Sequence, residues 1–138
     1  MKINEYTTNT FYANIYIGSI RGYNGSPFTL NQIIAAIARF QENMEGKRNI
    51  GIADIVSVRI TSTTYQIKGY MENGWEISAI NYPRYPKDKD SIMVYMIEMA
   101  KFLLVTFEQN RITVVNPERS ITFESENAES DPRSPGQS

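Results

Sequence analysis

Three short stretches hold most of the side chains that could do chemistry. "SIRGYNGSPFTL" at residues 19–30 sets Arg21, Tyr23 and Asn24 among glycines, "INYPRYPKDK" at 80–89 groups Asn81, Tyr82, Arg84 and Tyr85 around two prolines, and "QNRIT" at 109–113 presents Arg111. An arginine can hold a phosphate through paired hydrogen bonds, an asparagine can pair with the N6/N7 edge of adenine, and a tyrosine ring can stack on a base for about 1–3 kcal/mol. That kit recognises a nucleotide without reacting with it. Each member also has a plain structural use. Arg111 can form an exposed ion pair with Glu124, worth about 0–1 kcal/mol, Arg59 can be a solvated strand residue, and Tyr82 can pair with Tyr65 across a hairpin. Gly22 and Gly25 can serve a turn that needs positive φ. Neither a dinucleotide fingerprint nor a P-loop pattern surrounds them.

Composition removes whole classes of chemistry. The 138 residues include no cysteine and no histidine. Disulfides and thiolate metal sites are thereby excluded, together with the usual general base, the usual activator of a serine nucleophile and the commonest zinc ligand. Most hydrolytic and zinc chemistry is thereby removed, and neither a cofactor nor a metal site is expected. The 14 basic and 15 acidic residues nearly cancel, so no diffuse field favours duplex nucleic acid. No window has the roughly 18 apolar residues of a membrane span, and a cytoplasmic protein is expected.

These side chains must be positioned by a single domain over residues 1–124, because 125–138, "SENAESDPRSPGQS", has no large apolar residue and reads as a disordered acidic tail. Thr29 and Gln32 make a capping box, with Phe28 and Ile33 at the staple positions, so a helix should start at Leu30. Its stripe is Leu30, Ile33, Ile34, Ile37 and Phe40 or Gln41, with Gly46 as the stop. A second helix is expected from Asp90 to Gln109, burying Ile92, Met96, Met99, Leu103 and Phe107. The rest alternates as strand: "FYANIYIG", "DIVSVRI", a hairpin turning at Asn73-Gly74, and a second hairpin around "NPER". The first turn would pair Glu72 with Trp75, Ile67 with Ile80 and Tyr65 with Tyr82; the second, Val114 with Ile121, Ile112 with Phe123, Thr113 with Thr122 and Arg111 with Glu124. The expected architecture is a two-layer α+β domain: a mostly antiparallel sheet of five to six strands with two helices on one face. The open face would show Tyr12, Tyr16, Arg59, Tyr70, Trp75 and Ile77, enough apolar surface to imply a homo-oligomer.

"YIGSIRGYNG", "INYPRYP" and "QNRITVV" together resemble the phage Thoeris anti-defence sponge family, the type first described as sequestering cyclic ADP-ribose isomers, over residues 11–124. The resemblance implies a small α+β phage protein that works in the bacterial host cytoplasm. Dimers, or a hexamer built from dimers, would trap glycocyclic ADP-ribose, with cyclic oligonucleotides as a further ligand class. It implies Tyr82 as the stacking partner of adenine, Arg111 at the phosphates and Arg59 in a second, cyclic-oligonucleotide site. Asn81, Arg84, Arg21 and Tyr23 would complete the binding set, with Arg21 to Gly25 at a rim shared with "NYPRY". The expected function is therefore a sponge that leaves its ligand intact. Two alternatives stay open: an interaction or virion assembly component, and an enzyme that cleaves a cyclic nucleotide with Asp54, Glu76, Asp88 or Asp90.

Overall fold

The computed structural model describes residues 1–22, 25–47 and 54–130. The chain runs β1 (Tyr12–Gly18), α1 (Leu30–Lys47), β2 (Arg59–Ile67), β3 (Tyr70–Ile80), α2 (Lys89–Thr106), β4 (Arg111–Val115) and β5 (Ser120–Glu124). The strands form one open five-stranded sheet, order β2-β3-β1-β4-β5, antiparallel throughout. Alternate residues of the sheet, Ala13, Ile15, Ile17, Ile77, Ala79, Ile112 and Val114, enter one core with Ile33, Ile37, Ile92, Met96, Met99 and Leu103 of the helices. Both helices therefore cover one face, and the expected α+β architecture is the one observed. No helix among the described residues is long and apolar enough to cross a membrane.

Local signals placed the helices. The capping box forms as expected: Thr29 N–H donates to Gln32 Oε1 at 2.8 Å and Gln32 N–H to Thr29 Oγ1 at 3.2 Å. The core-facing stripe differs in detail, because Ile33, Ala36, Ile37 and Phe40 are buried while Leu30 and Ile34 are exposed. Gly46 lies inside the helix rather than ending it. Helix α2 starts one residue early, where Asp88 caps it by accepting from Asp90 N–H and the Ser91 hydroxyl, and it stops at Thr106. All five side chains expected on its inner face are buried.

The first hairpin turns elsewhere than expected. Its loop is Lys68-Gly69, both at positive φ (48° and 86°), and the register pairs Ile67 with Tyr70, Tyr65 with Glu72 and Thr63 with Gly74. Asn73-Gly74 lies within β3. Gly74 is required there for closeness, since a Cβ would collide with the Ile17 carbonyl and lie 2.7 Å from the Tyr65 ring. The shift carries Trp75 and Ile77 into the core, 7% and 0% exposed, so neither belongs to the open face. The expected strand over "DIVSVRI" contributes only Arg59 and Ile60, at the start of β2; Val56 is buried outside any strand. The second hairpin has the expected register in all four pairs, with the Thr113 and Thr122 hydroxyls 3.0 Å apart.

Candidate functional site

The sheet face turned away from the helices carries a cavity of about 320 Å³ at the Gly18 end of β1, lined by β1, the β2–β3 hairpin and the start of β4. Its floor is made flat by two glycines that face each other across β1 and β3, Gly18 and Gly74. The Glu72 carboxylate lies over Gly18 so closely that any Cβ there would collide with Glu72 Oε2, and the same oxygen accepts the Ile20 N–H at 3.3 Å. Beside it the Tyr65 ring lies against Gly74, and its hydroxyl donates to the Trp75 carbonyl at 2.8 Å. Burial pushes the Tyr65 phenol up to about 12, helped by the charges of Glu76 and Glu72 and opposed by a backbone hydrogen bond from Ile17. It therefore stays protonated at neutral pH. Tyr16 and Tyr70 add two more rings, and Gln109, Asn110 and Arg111 form the far wall.

Two connections hold that wall. Gln109, 8% exposed, donates from Nε2 to the Ile20 carbonyl at 3.0 Å, and Gly22 N–H donates to the Glu108 carbonyl at 2.9 Å. Phe28 stacks on Phe107 with ring centroids 4.0 Å apart, tying the loop before α1 to the end of α2. Arg111 then enters β4 with its Nε 2.7 Å from Glu124 Oε2, the cross-strand pair expected from the sequence.

Of the expected binding residues that the structure describes, Arg111 alone lines this cavity. Tyr82 and Arg84 line another of about 540 Å³, with Tyr6, Ser57, Pro83 and Tyr85, after the Ile80 end of β3, where Tyr12 begins β1. The rim expected to join Arg21 to "NYPRY" does not form, since the two lie at opposite ends of β1. Arg21 instead closes its own loop, donating to the Ser26 hydroxyl and the Pro27 carbonyl at 3.3 Å each, 3.7 Å from the Glu108 carboxylate. Asn81 is a fastener: its Nδ2 donates to Thr8 Oγ1 and the Asn9 carbonyl, and its Oδ1 accepts the Lys87 N–H. Arg59 stands exposed at the start of β2, opposite Ser78. Tyr23 lies outside the described residues. No group of three or more acidic side chains among the described residues could hold a metal ion.

Glu72 and Tyr65 were missed from the sequence. The misplaced turn put Glu72 at a hairpin tip and paired Tyr65 with Tyr82, so nothing brought the two together.

No family model matches the sequence, and no curated protein does. Two solved structures share the fold over nearly the whole chain. One is a phage SAM lyase in complex with S-methyl-5'-thioadenosine: TM-score 0.64, 16% identity, 94% of this chain and 100% of that one. The other is a phage SAM lyase in the apo state: TM-score 0.64, 17% identity, 93% and 100%. This likeness overturns the expectation of a non-enzymatic sponge for cyclic ADP-ribose, because the proteins that share the architecture are an enzyme and its complex with a methylthio-nucleoside.

Proposed function

We propose that this protein is an enzyme that cleaves S-adenosylmethionine without water and releases 5'-methylthioadenosine. The observation that carries the reading is the Glu72 carboxylate held among tyrosine rings, in a cavity large enough for a nucleoside, on a fold shared with a SAM lyase. A sulfonium cation is attracted both by a carboxylate and by the face of an aromatic ring, and the floor supplies Glu72 beside Tyr16, Tyr65 and Tyr70. The adenine has tyrosine faces to stack on. Arg111 on the far wall receives the substrate's carboxylate.

The chemistry needs little from the protein because the substrate brings its own leaving group. As the bond between sulfur and Cγ breaks, the electron pair stays on sulfur and a neutral thioether departs. The four-carbon fragment is left electron-poor at Cγ, and its own carboxylate closes on that carbon to form homoserine lactone. No proton is gained or lost in this step. The competing route removes a proton from Cβ and needs a strong base. Tyr65 is protonated and already donating, and a carboxylate is too weak a base for an unactivated C–H. The residues present instead favour holding the substrate folded, carboxylate near Cγ, where proximity accelerates ring closure.

Incubation with S-adenosylmethionine and separation of the products tests the reading. Methylthioadenosine and homoserine lactone should form in equal amounts, and Glu72→Gln should lower kcat/KM by about 100-fold or more with the fold retained. Substrate recovered unchanged by the native protein refutes the reading. The same proposal places the protein in the bacterial host cytoplasm, where consuming this methyl donor would starve methyltransferases. It also retains the homo-oligomer, through the exposed Ile67, Tyr70 and Met71 beside the cavity.

A further inference from the structure

Residues 125–129, expected to begin a disordered tail, instead fold back across the far wall of the cavity. After β5 the Ser125 N–H donates to the Asn110 carbonyl at 2.9 Å. A turn closed by Ala128 N–H on the Ser125 carbonyl, 3.1 Å, then brings Glu129 over Asn110. There the Glu129 N–H donates to Asn110 Oδ1 at 3.0 Å, and the Glu129 carbonyl accepts Arg111 Nη1 at 2.7 Å. Arg111 is thus gripped on two sides, by the Glu124 carboxylate at Nε and by the strap at Nη1.

The Asn110 carboxamide is oriented by the same bonds. With Oδ1 turned to the strap, Nδ2 is buried without a hydrogen-bond partner among the described residues, 3.9 Å from where a Cβ on Gly22 would stand. Buried donors are rarely left unpaired, and Gly22, Asn110 and Arg111 all line the cavity. We propose that residues 125–129 are a positioning strap, which sets the Asn110–Arg111 wall to receive the carboxylate end of the substrate. This rests on the reading of the cavity as a site for S-adenosylmethionine.

The strap is held by these hydrogen bonds, with no large apolar side chain of its own to bury, so it can be released without unfolding the sheet. Only its backbone makes the bonds to Asn110 and Arg111. Composition does not reveal the strap, because a Ser- and Glu-rich segment reports poor burial and says nothing of main-chain hydrogen bonds.

A chain ending at Glu124 and the substitution Glu129→Pro, which removes the N–H that holds Asn110, test the strap by steady-state kinetics. Each should raise KM for S-adenosylmethionine about tenfold or more, with kcat within about threefold. Inhibition by methylthioadenosine, which has no carboxylate, should keep its constant, and Glu126→Ala, which breaks none of these bonds, should match the native protein. Unchanged KM in both strap variants overturns the proposal. So does parallel weakening of methylthioadenosine, which would mark a general loss of structure. Failure of the native chain to release methylthioadenosine refutes the proposed function itself, and the strap's role with it, whereas a fully active chain with an indifferent strap refutes the strap alone.

Discussion

At the residue scale the two floor glycines have opposite consequences. A Cβ on Gly18 would meet the far end of the flexible Glu72 side chain, whereas one on Gly74 would meet the Ile17 carbonyl, the Gly18 backbone and the Tyr65 ring. Gly18→Ala should therefore leave stability nearly intact but drive Glu72 from the Ile20 N–H, lowering turnover about tenfold or more. Gly74→Ala should lose about 1–3 kcal/mol in denaturant unfolding, the usual cost of overpacking. The reverse pattern, an active Gly18 variant or an unaffected Gly74 variant, would contradict the floor as described. Tyr65 sets a pH limit. Its phenol is raised to about 12 from 10.0, so between those values the folded chain holds a proton the unfolded chain has released. Stability should stay level below pH 10 and fall as pH rises toward 12. Burial raises Tyr95 to about 12 as well, so thermal melting across pH 9 to 12 should show the summed decline, and Tyr65→Phe should make it shallower without abolishing it.

Elements were legible where the signal was local and unopposed. The start of α1 followed from Thr29 and Gln32, and the β4–β5 register from strict alternation around a four-residue loop. The β2–β3 turn was not legible, because Asn73-Gly74 has the favoured composition for a tight hairpin but Gly74 is held in mid-strand by contacts from β1 and Tyr65, which lie far away in sequence. That one error misplaced Trp75, Ile77 and Glu72 together, since a strand's register decides the face of every residue in it. The actual turn uses Lys68 at positive φ, a conformation asparagine adopts more readily. Lys68→Asn should raise the urea midpoint, by a stability gain of about 0.5 kcal/mol; a lower midpoint would contradict the assigned turn.

At the scale of the whole molecule, absence of histidine and cysteine argues against most hydrolytic and zinc chemistry, and it agrees with a binding protein without demanding one. Under the proposed function neither residue is needed, because a sulfonium leaving group departs as a neutral molecule and the substrate's own carboxylate supplies the nucleophile. Of the site, the sequence showed Arg111 and its Glu124 partner, while the cavity needs β1, β3 and β4 side by side before Glu72 and Tyr65 acquire a role. The tip of the β2–β3 hairpin exposes Ile67, Tyr70 and Met71 at 43%, 55% and 68%, apolar surface of the kind that marks an interface. Sedimentation should give a mass above the 15.8 kDa of one chain, shifted toward monomer by Met71→Glu, and a native monomer would contradict self-association. Turnover in ¹⁸O-labelled water, with S-adenosylmethionine in large excess over protein, decides whether the chain is a lyase. Methylthioadenosine should form in many-fold excess over the chain, accompanied by homoserine lactone free of label. Substrate held intact at one molecule per chain, or label incorporated into the four-carbon product as it forms, would contradict it.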